Sequence, residues 1–155
     1  MEKLLLHIYE SSKSMRETNV ESLNKYLLGD KMQDLSKITD VSFITTEEGE
    51  DLIVAFAIPV SDQGDVISLI LLRTSKYESL LDEHERGVNV SYENQVDTED
   101  DLLEEIEIQK NIIKLITKRH RYKLNISRVD KDEIKEAKKI LKKMNFDQRF
   151  VLSII

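Results

Sequence analysis

Three blocks of apolar residues, 41–46, 51–59 and 66–73, follow one another with only short polar interruptions. The interruptions hold Gly49 and Gly64 among acids, which is turn chemistry, so the blocks predict three strands of an antiparallel meander. The second and third blocks are apolar at nearly every position rather than at alternate ones. That predicts cover on both faces, by helices on both sides or by a partner protein on one.

On either side of the meander the period changes. Residues 1–40 read as helical, with Leu4, Leu5, Ile8 and Met15 near one stripe, although "KLLLHIY" can also be a strand. Thr18 and Glu21 form a capping box before Val20, Leu23 and Leu27, Gly29 is the stop, and Met32, Leu35 and Ile38 suggest a further short helix. Ser75 with Glu78 predicts a second capped helix, 76–86, ended by Gly87 and followed by a strand over 88–94.

Residues 98–119 predict a helix about 33 Å long. Thr98 is its N-cap, Asp101 holds the capping-box position, and Leu102, Ile106, Ile113 and Ile116 share a face. Leu103, Ile108, Ile112 and Leu115 widen that face, which implies contact from two sides. A strand over 122–129 comes next. Asp130 and Glu133 then open a helix with Ile134, Ala137, Leu141 and Met144 inward, closed by a left-handed Asn145. The last stretch, "RFVLSII", reads as an apolar strand tucked into a sheet.

This order predicts an α+β fold: a single mixed β-sheet, made of the antiparallel three-stranded meander plus helix-separated C-terminal strands, packed with helices. A chain of 155 residues suits one core, hence a single domain over 1–155: a helical segment 1–40, the meander 41–73, and alternating helix and strand over 74–155.

Charge is distributed unevenly along the chain. Residues 1–109 hold 9 Lys/Arg against 25 Asp/Glu, and residues 110–155 hold 14 against 5. The turning point lies in the segment 98–119. Asp97, Glu99, Asp100 and Asp101 stand at its start and Lys118, Arg119 and Arg121 at its end, as the dipole of a helix favours. The dipole acts over one turn only, so Glu104, Glu105, Glu107 and the cations that follow call for a further explanation.

The cations fall into two groups. Lys118, Arg119, Arg121 and Lys123 form the cluster "KRHRYK", in which Tyr122 can stack on a base. Lys135, Lys139, Lys142 and Lys143 share the solvent arc of the last helix, where unrelieved repulsion asks for a counter-charge: the chain's own acids, another protein or phosphate. These eight residues are the candidate contacts for an acidic partner or a nucleic-acid backbone.

Candidate chemistry is sparse. There is no cysteine, which excludes disulfides and thiolate metal sites. His7, His84 and His120 lie far apart, and "DEHER" (82–86) lacks the i, i+4 pair of a zinc helix. The acidic turns 45–51 and 61–65 can offer oxygen ligands but lack EF-hand spacing. No phosphate loop, nucleophile elbow or HExxH motif occurs. The start lacks signal-peptide features and the longest apolar run, 52–60, falls well short of a membrane span of about 20 residues, so the expectation is a cytoplasmic protein with no cofactor, no metal and no membrane partner.

These observations point to a non-enzymatic protein–protein interaction module (regulator, adaptor, inhibitor or assembly subunit) or a self-associating protein. The alternative is a nucleic-acid-associated protein gripping phosphates with its basic C-terminal third.

Overall fold

The computed structural model describes residues 37–93 and 100–155. Residues 37–155 form one compact unit. Of the helical segment expected over 1–40, residues 1–36 lie outside the described residues, as does the Thr98 cap. The end of that segment is not helical, because Thr39–Asp40 is drawn into a strand pairing with residues 124–125.

The meander forms, its first strand two residues later than the pattern places it, so that Glu47 and Glu48 join the strand rather than the turn. β2 (Phe43–Glu48), β3 (Leu52–Pro59) and β4 (Val66–Arg73) pair antiparallel in succession, and β5 (Asn89–Tyr92) adds to β4. Alternation then sorts the faces. Ile44, Val54, Phe56, Ile58, Leu69, Leu71 and Val90 point into the core, whereas Phe43 and Val66 on the opposite face are 42% and 38% exposed. Ile53, Ala55, Ile70 and Leu72 on that face are half-buried.

The long helix expected over 98–119 does not form. In its place are β6 (Leu103–Ile108), a tight turn closed by the Gln109 N–H donating to the Ile112 carbonyl at 2.8 Å, and β7 (Ile112–Thr117). β7 turns in the same way into β8 (Arg121–Asn125). The physical reason lies in side-chain shape. Ile106, Ile108, Ile112, Ile113, Ile116 and Thr117 are β-branched, which suits a pleated surface better than a helix. The over-wide apolar face was two strands superimposed: Ile106 and Ile108 pair with Leu115 and Ile113 across the hairpin.

The other expected helix, 76–86, is also absent. Two short 3₁₀ turns, Ser75–Leu80 and Glu83–Glu85, replace it. Tyr77, Leu80 and Leu81 are 54%, 82% and 42% exposed, so the segment has no apolar stripe to bury. The capping box is made by Asp82 and Glu85, not by Ser75 and Glu78. Gly87, at φ 136°, then redirects the chain into β5, a backbone state that L-residues rarely adopt.

The helix opened by Asp130 forms as the pattern requires. α1 (Lys131–Met144) has the Asp130 carboxylate accepting from the Asp132 N–H at 2.9 Å, and Ala137, Ile140, Leu141 and Met144 are buried. Its end differs from expectation. Asn145 has φ −96°, not a left-handed value, because its N–H still bonds the Leu141 and Lys142 carbonyls at 3.1 and 3.3 Å and carries the helical turn on. Its side-chain oxygen accepts from the Phe150 N–H at 3.2 Å, and the left-handed residue is Gln148, at φ 57°. β9 (Val151–Ile154) follows and pairs parallel to β6.

The strands make two sheets rather than the single one expected, and only one of the helix-separated connections survives, that between β8 and β9. The four-stranded sheet runs β2-β3-β4-β5. The five-stranded sheet runs β1-β8-β7-β6-β9, with β1 (Thr39–Asp40) parallel to β8. The sheets communicate through backbone bonds at two places. Val90 and Leu103 N–H groups donate to the Asp101 and Val88 carbonyls at 2.8 and 2.9 Å. On the other side, residues 39–48 pair first with β8 and then with β3. Side chains of both sheets and of α1 share one core. The architecture is thus mixed and dominated by strands.

Candidate functional site

The acid-to-base reversal is carried by strands. Cross-strand neighbours on one face of a sheet sit close enough to interact directly. On the outward face of the five-stranded sheet, β6 presents Glu105 and Glu107, β7 presents Lys114 and Ile116, and β8 presents Arg121 and Lys123. The register sets Glu105, Ile116 and Arg121 in one row and Glu107, Lys114 and Lys123 in the next. Lys114 Nζ lies 4.0 Å from Glu107, whose other oxygen accepts from the Gln109 amide at 3.2 Å. Helix-dipole matching therefore does not explain the reversal. The face carries a column of acids beside two columns holding cations.

The eight candidate cations divide between two places. Lys118 and Arg119 lie in the β7–β8 turn, and Lys118 Nζ donates to the His84 carbonyl at 3.4 Å. Arg121 is exposed and Lys123 half-buried on β8. Among the described residues neither has a carboxylate within 4.0 Å. Lys135, Lys139, Lys142 and Lys143 are exposed on α1. Two of these find the counter-charge that repulsion requires: Lys143 bonds the Glu48 carboxylate and Lys139 lies 4.0 Å from it. The bond from Lys143 holds the Glu48 carboxyl below its ordinary pKa, and Lys139 adds a smaller pull. Among the described residues no hydrogen bond or ion pair joins the turn cluster to the helix cluster.

Two polar assemblies escape a reading of periodicity. The first surrounds Arg73, whose side chain is fully buried. Its Nε and Nη2 donate to Glu78 at 2.7 and 2.8 Å, Nη1 and Nη2 to Asp147 at 2.7 and 2.8 Å, and Nη1 also to the Met144 carbonyl at 2.6 Å. All five donors are thereby used, and the guanidinium lies 4.2 Å from the centre of the Phe146 ring. Burial works against its charge, but Asp147 and Glu78 outweigh burial and raise its pKa. Arg73 in turn holds Asp147 at a pKa of about 2, with help from Arg149, although desolvation opposes the drop. The available signal was register: Arg73 occupies an inward position after Leu69 and Leu71.

The second assembly is Asp101, Thr117 and His120. Asp101 is 5% exposed and Thr117 4%. The carboxylate accepts from the Thr117 hydroxyl at 2.6 Å and the Arg119 N–H at 3.0 Å, and lies 2.9 Å from His120 Nδ1. The Thr117 hydroxyl oxygen also accepts from the His120 N–H at 2.8 Å. These bonds tie the start of β6 to the β7–β8 turn, so the His–carboxylate couple serves the turn.

The remaining candidates stay apart. The acidic turns lie at opposite ends of β3, about 25 Å from one another at roughly 3.3 Å per residue. The first is bonded through Asp51 to Thr74 at 2.5 Å, and the second closes internally through Ser61 and Asp65 at 3.0 Å. Asp82, His84 and Glu85 bring ligand-type atoms within 4.8 Å of one another, all exposed. The two acids there already bond the amides of their own turn. No helix among the described residues is long and apolar enough to cross a membrane. Comparisons with family models, with curated proteins and with solved structures find no match to the chain.

Proposed function

We propose that the chain is a protein–protein interaction module that engages its partner through charged surface. The observation that carries this is the outward face of the five-stranded sheet, where Glu105 and Glu107 stand beside Lys114, Arg121 and Lys123 in register. Charge of both signs in fixed columns gives a partner orientation and register, and speeds encounter, more than it adds raw affinity. The buried polar groups Arg73 and Asp101 are occupied in holding turns and strand ends, which agrees with a role in binding rather than chemistry.

The test compares the parent with Lys123→Glu and with a Glu105→Lys/Glu107→Lys variant, each immobilised and exposed to native lysate at low ionic strength. The expected result is a defined set of partners that elutes with rising salt and is depleted in both variants. A parent that retains nothing, or retains the same set as both variants, overturns the proposal.

A second reading is nucleic-acid association through Lys118 and Arg119 in the β7–β8 turn and Arg121 and Lys123 on β8. Tyr122 alternates to the opposite face, where it packs against the core, and so does not supply the base-stacking surface expected of it. Binding would weaken with salt, with a log–log slope near −0.9 per phosphate neutralised on duplex DNA. Failure to shift DNA or RNA at about 50 mM salt ends this reading. The tie of Lys139 and Lys143 to Glu48 and the net charge of −7 both weigh against it.

A further inference from the structure

The two sheets treat their edges differently. On β2, the Ile44 N–H donates to the Glu133 carboxylate of α1 at 3.0 Å, and Glu47 and Glu48 stand on the strand. The start of β6 is covered by the start of β5. β9, "VLSI", has no charge, proline or glycine, the devices that commonly blunt an exposed edge. Its Leu152 packs against the core and fixes the strand, while Val151 and Ile154 are 58% and 41% exposed.

Backbone direction shows what this edge offers. The Ile155 N–H donates to the Ile108 carbonyl at 2.9 Å, so residues 151, 153 and 155 turn their peptide groups toward β6. Strand alternation then directs the N–H and C=O of Leu152 and Ile154 away from β6. The next outward amide, that of Phe150, is taken by Asn145. Among the described residues no group bonds Leu152 or Ile154 on that side.

Charge indicates the occupant. Behind Val151 and Ser153, one strand inward, stand Glu105 and Glu107. A strand added to β9 would lie two spacings from β6, about 9.6 Å. Across the small Ser153, a lysine or arginine on the added strand can extend to Glu107. A second copy of β9 would place no cation there and would bring two acidic columns toward each other.

We propose that β9 receives an extended segment of a partner protein by strand addition, in a register that sets basic side chains over Ser153 and Val151 against Glu107 and Glu105. This rests on the interaction reading above and supplies its partner chemistry: an extended basic–apolar segment.

The probes are two labelled synthetic peptides, one alternating Lys and Val, the other alternating Glu and Val, titrated by fluorescence anisotropy against the full chain. Ile154→Pro removes one outward N–H while leaving the bonds to β6. Ser153→Lys covers Glu107 from within the chain and keeps a second variant available if the proline disturbs folding. The expected result is salt-sensitive binding of the Lys peptide alone, weakened at least about tenfold, or 1.4 kcal/mol, by either variant. Glu105→Lys/Glu107→Lys should reverse the preference toward the Glu peptide. Equal binding of both peptides, no binding of either, or binding indifferent to both variants overturns the proposal. Dimerisation of the free chain that Ile154→Pro abolishes also overturns it and assigns the edge to a second copy. If lysate partners persist on Ile154→Pro and Ser153→Lys, the strand-addition proposal falls while the interaction reading stands; if the parent captures nothing, the interaction reading falls as well.

Discussion

A guanidinium that leaves water needs an acceptor for each of its donors, and Arg73 has one for all five. Because Glu78 is itself largely buried, removing the arginine strands a carboxylate. Arg73→Met is expected to cost about 3–5 kcal/mol in urea unfolding. Arg73→Lys, which cannot reproduce the fork, should still lose about 1–3 kcal/mol. A cost near zero for both would show that the node contributes nothing to stability. Asp147 makes the same node sensitive to acid. Its pKa falls from an ordinary 3.8 to about 2 in the folded protein, so its contribution is complete only above about pH 5. As the pH drops toward 2 the unfolded chain takes up the proton first, and stability declines until the folded carboxyl protonates too. Urea midpoints measured from pH 5 to pH 2 should fall in that window, and Asp147→Asn should flatten the decline.

At the scale of elements, the hairpin β6–β7 shows how tertiary pairing overrides local preference. Glu104, Glu105 and Glu107 disfavour strands, and an acidic start with a basic end suits a helix. What tips the balance is that Ile106, Ile108, Ile113 and Leu115 become buried, each 0–1% exposed, only when the segment doubles back. Burying one such side chain contributes about 1.5–3 kcal/mol, more than the roughly 0.3–1 kcal/mol typical of a charge at a helix end. Glu107 and Lys114 are then cross-strand neighbours. A double-mutant cycle with alanine at both should give a coupling of about 0.2–1 kcal/mol that shrinks with salt. Absence of coupling at low salt would contradict the observed pairing. By contrast α1 was legible in full up to its last turn, because its cap, its stripe and its lysine arc agree with one another. The meander was legible for the same reason.

Across the molecule, charge is divided by topology. The helix lysines lean on Glu48 of β2, and the sheet cations stand beside the acids of β6. Lys139 and Lys143 therefore act first as partners for the chain's own acidic part. Glu48→Gln should leave the thermal midpoint close to that of the parent, since exposed pairs contribute little. It should, however, release two lysines. If α1 touches phosphate, the variant will shift duplex DNA more strongly than the parent at about 50 mM salt. An unchanged shift would exclude α1 from any such contact.

Features that depend on neighbours along the chain are legible from residue order: the three meander strands, the Asp130-capped helix, and the acidic and basic territories. Strand partners, the division into two sheets, and the burial of Arg73 emerge only once the chain has folded. The reason is that these depend on contacts between residues far apart in number, such as Arg73 with Asp147, Ile44 with Glu133 and Glu105 with Val151. A periodicity of apolar positions records which side of an element is buried, and leaves open what buries it. In the segment 103–117 even the period was ambiguous, since two strands folded against each other and one broad-faced helix place apolar residues at nearly the same spacings, and only the closure of the core distinguishes them.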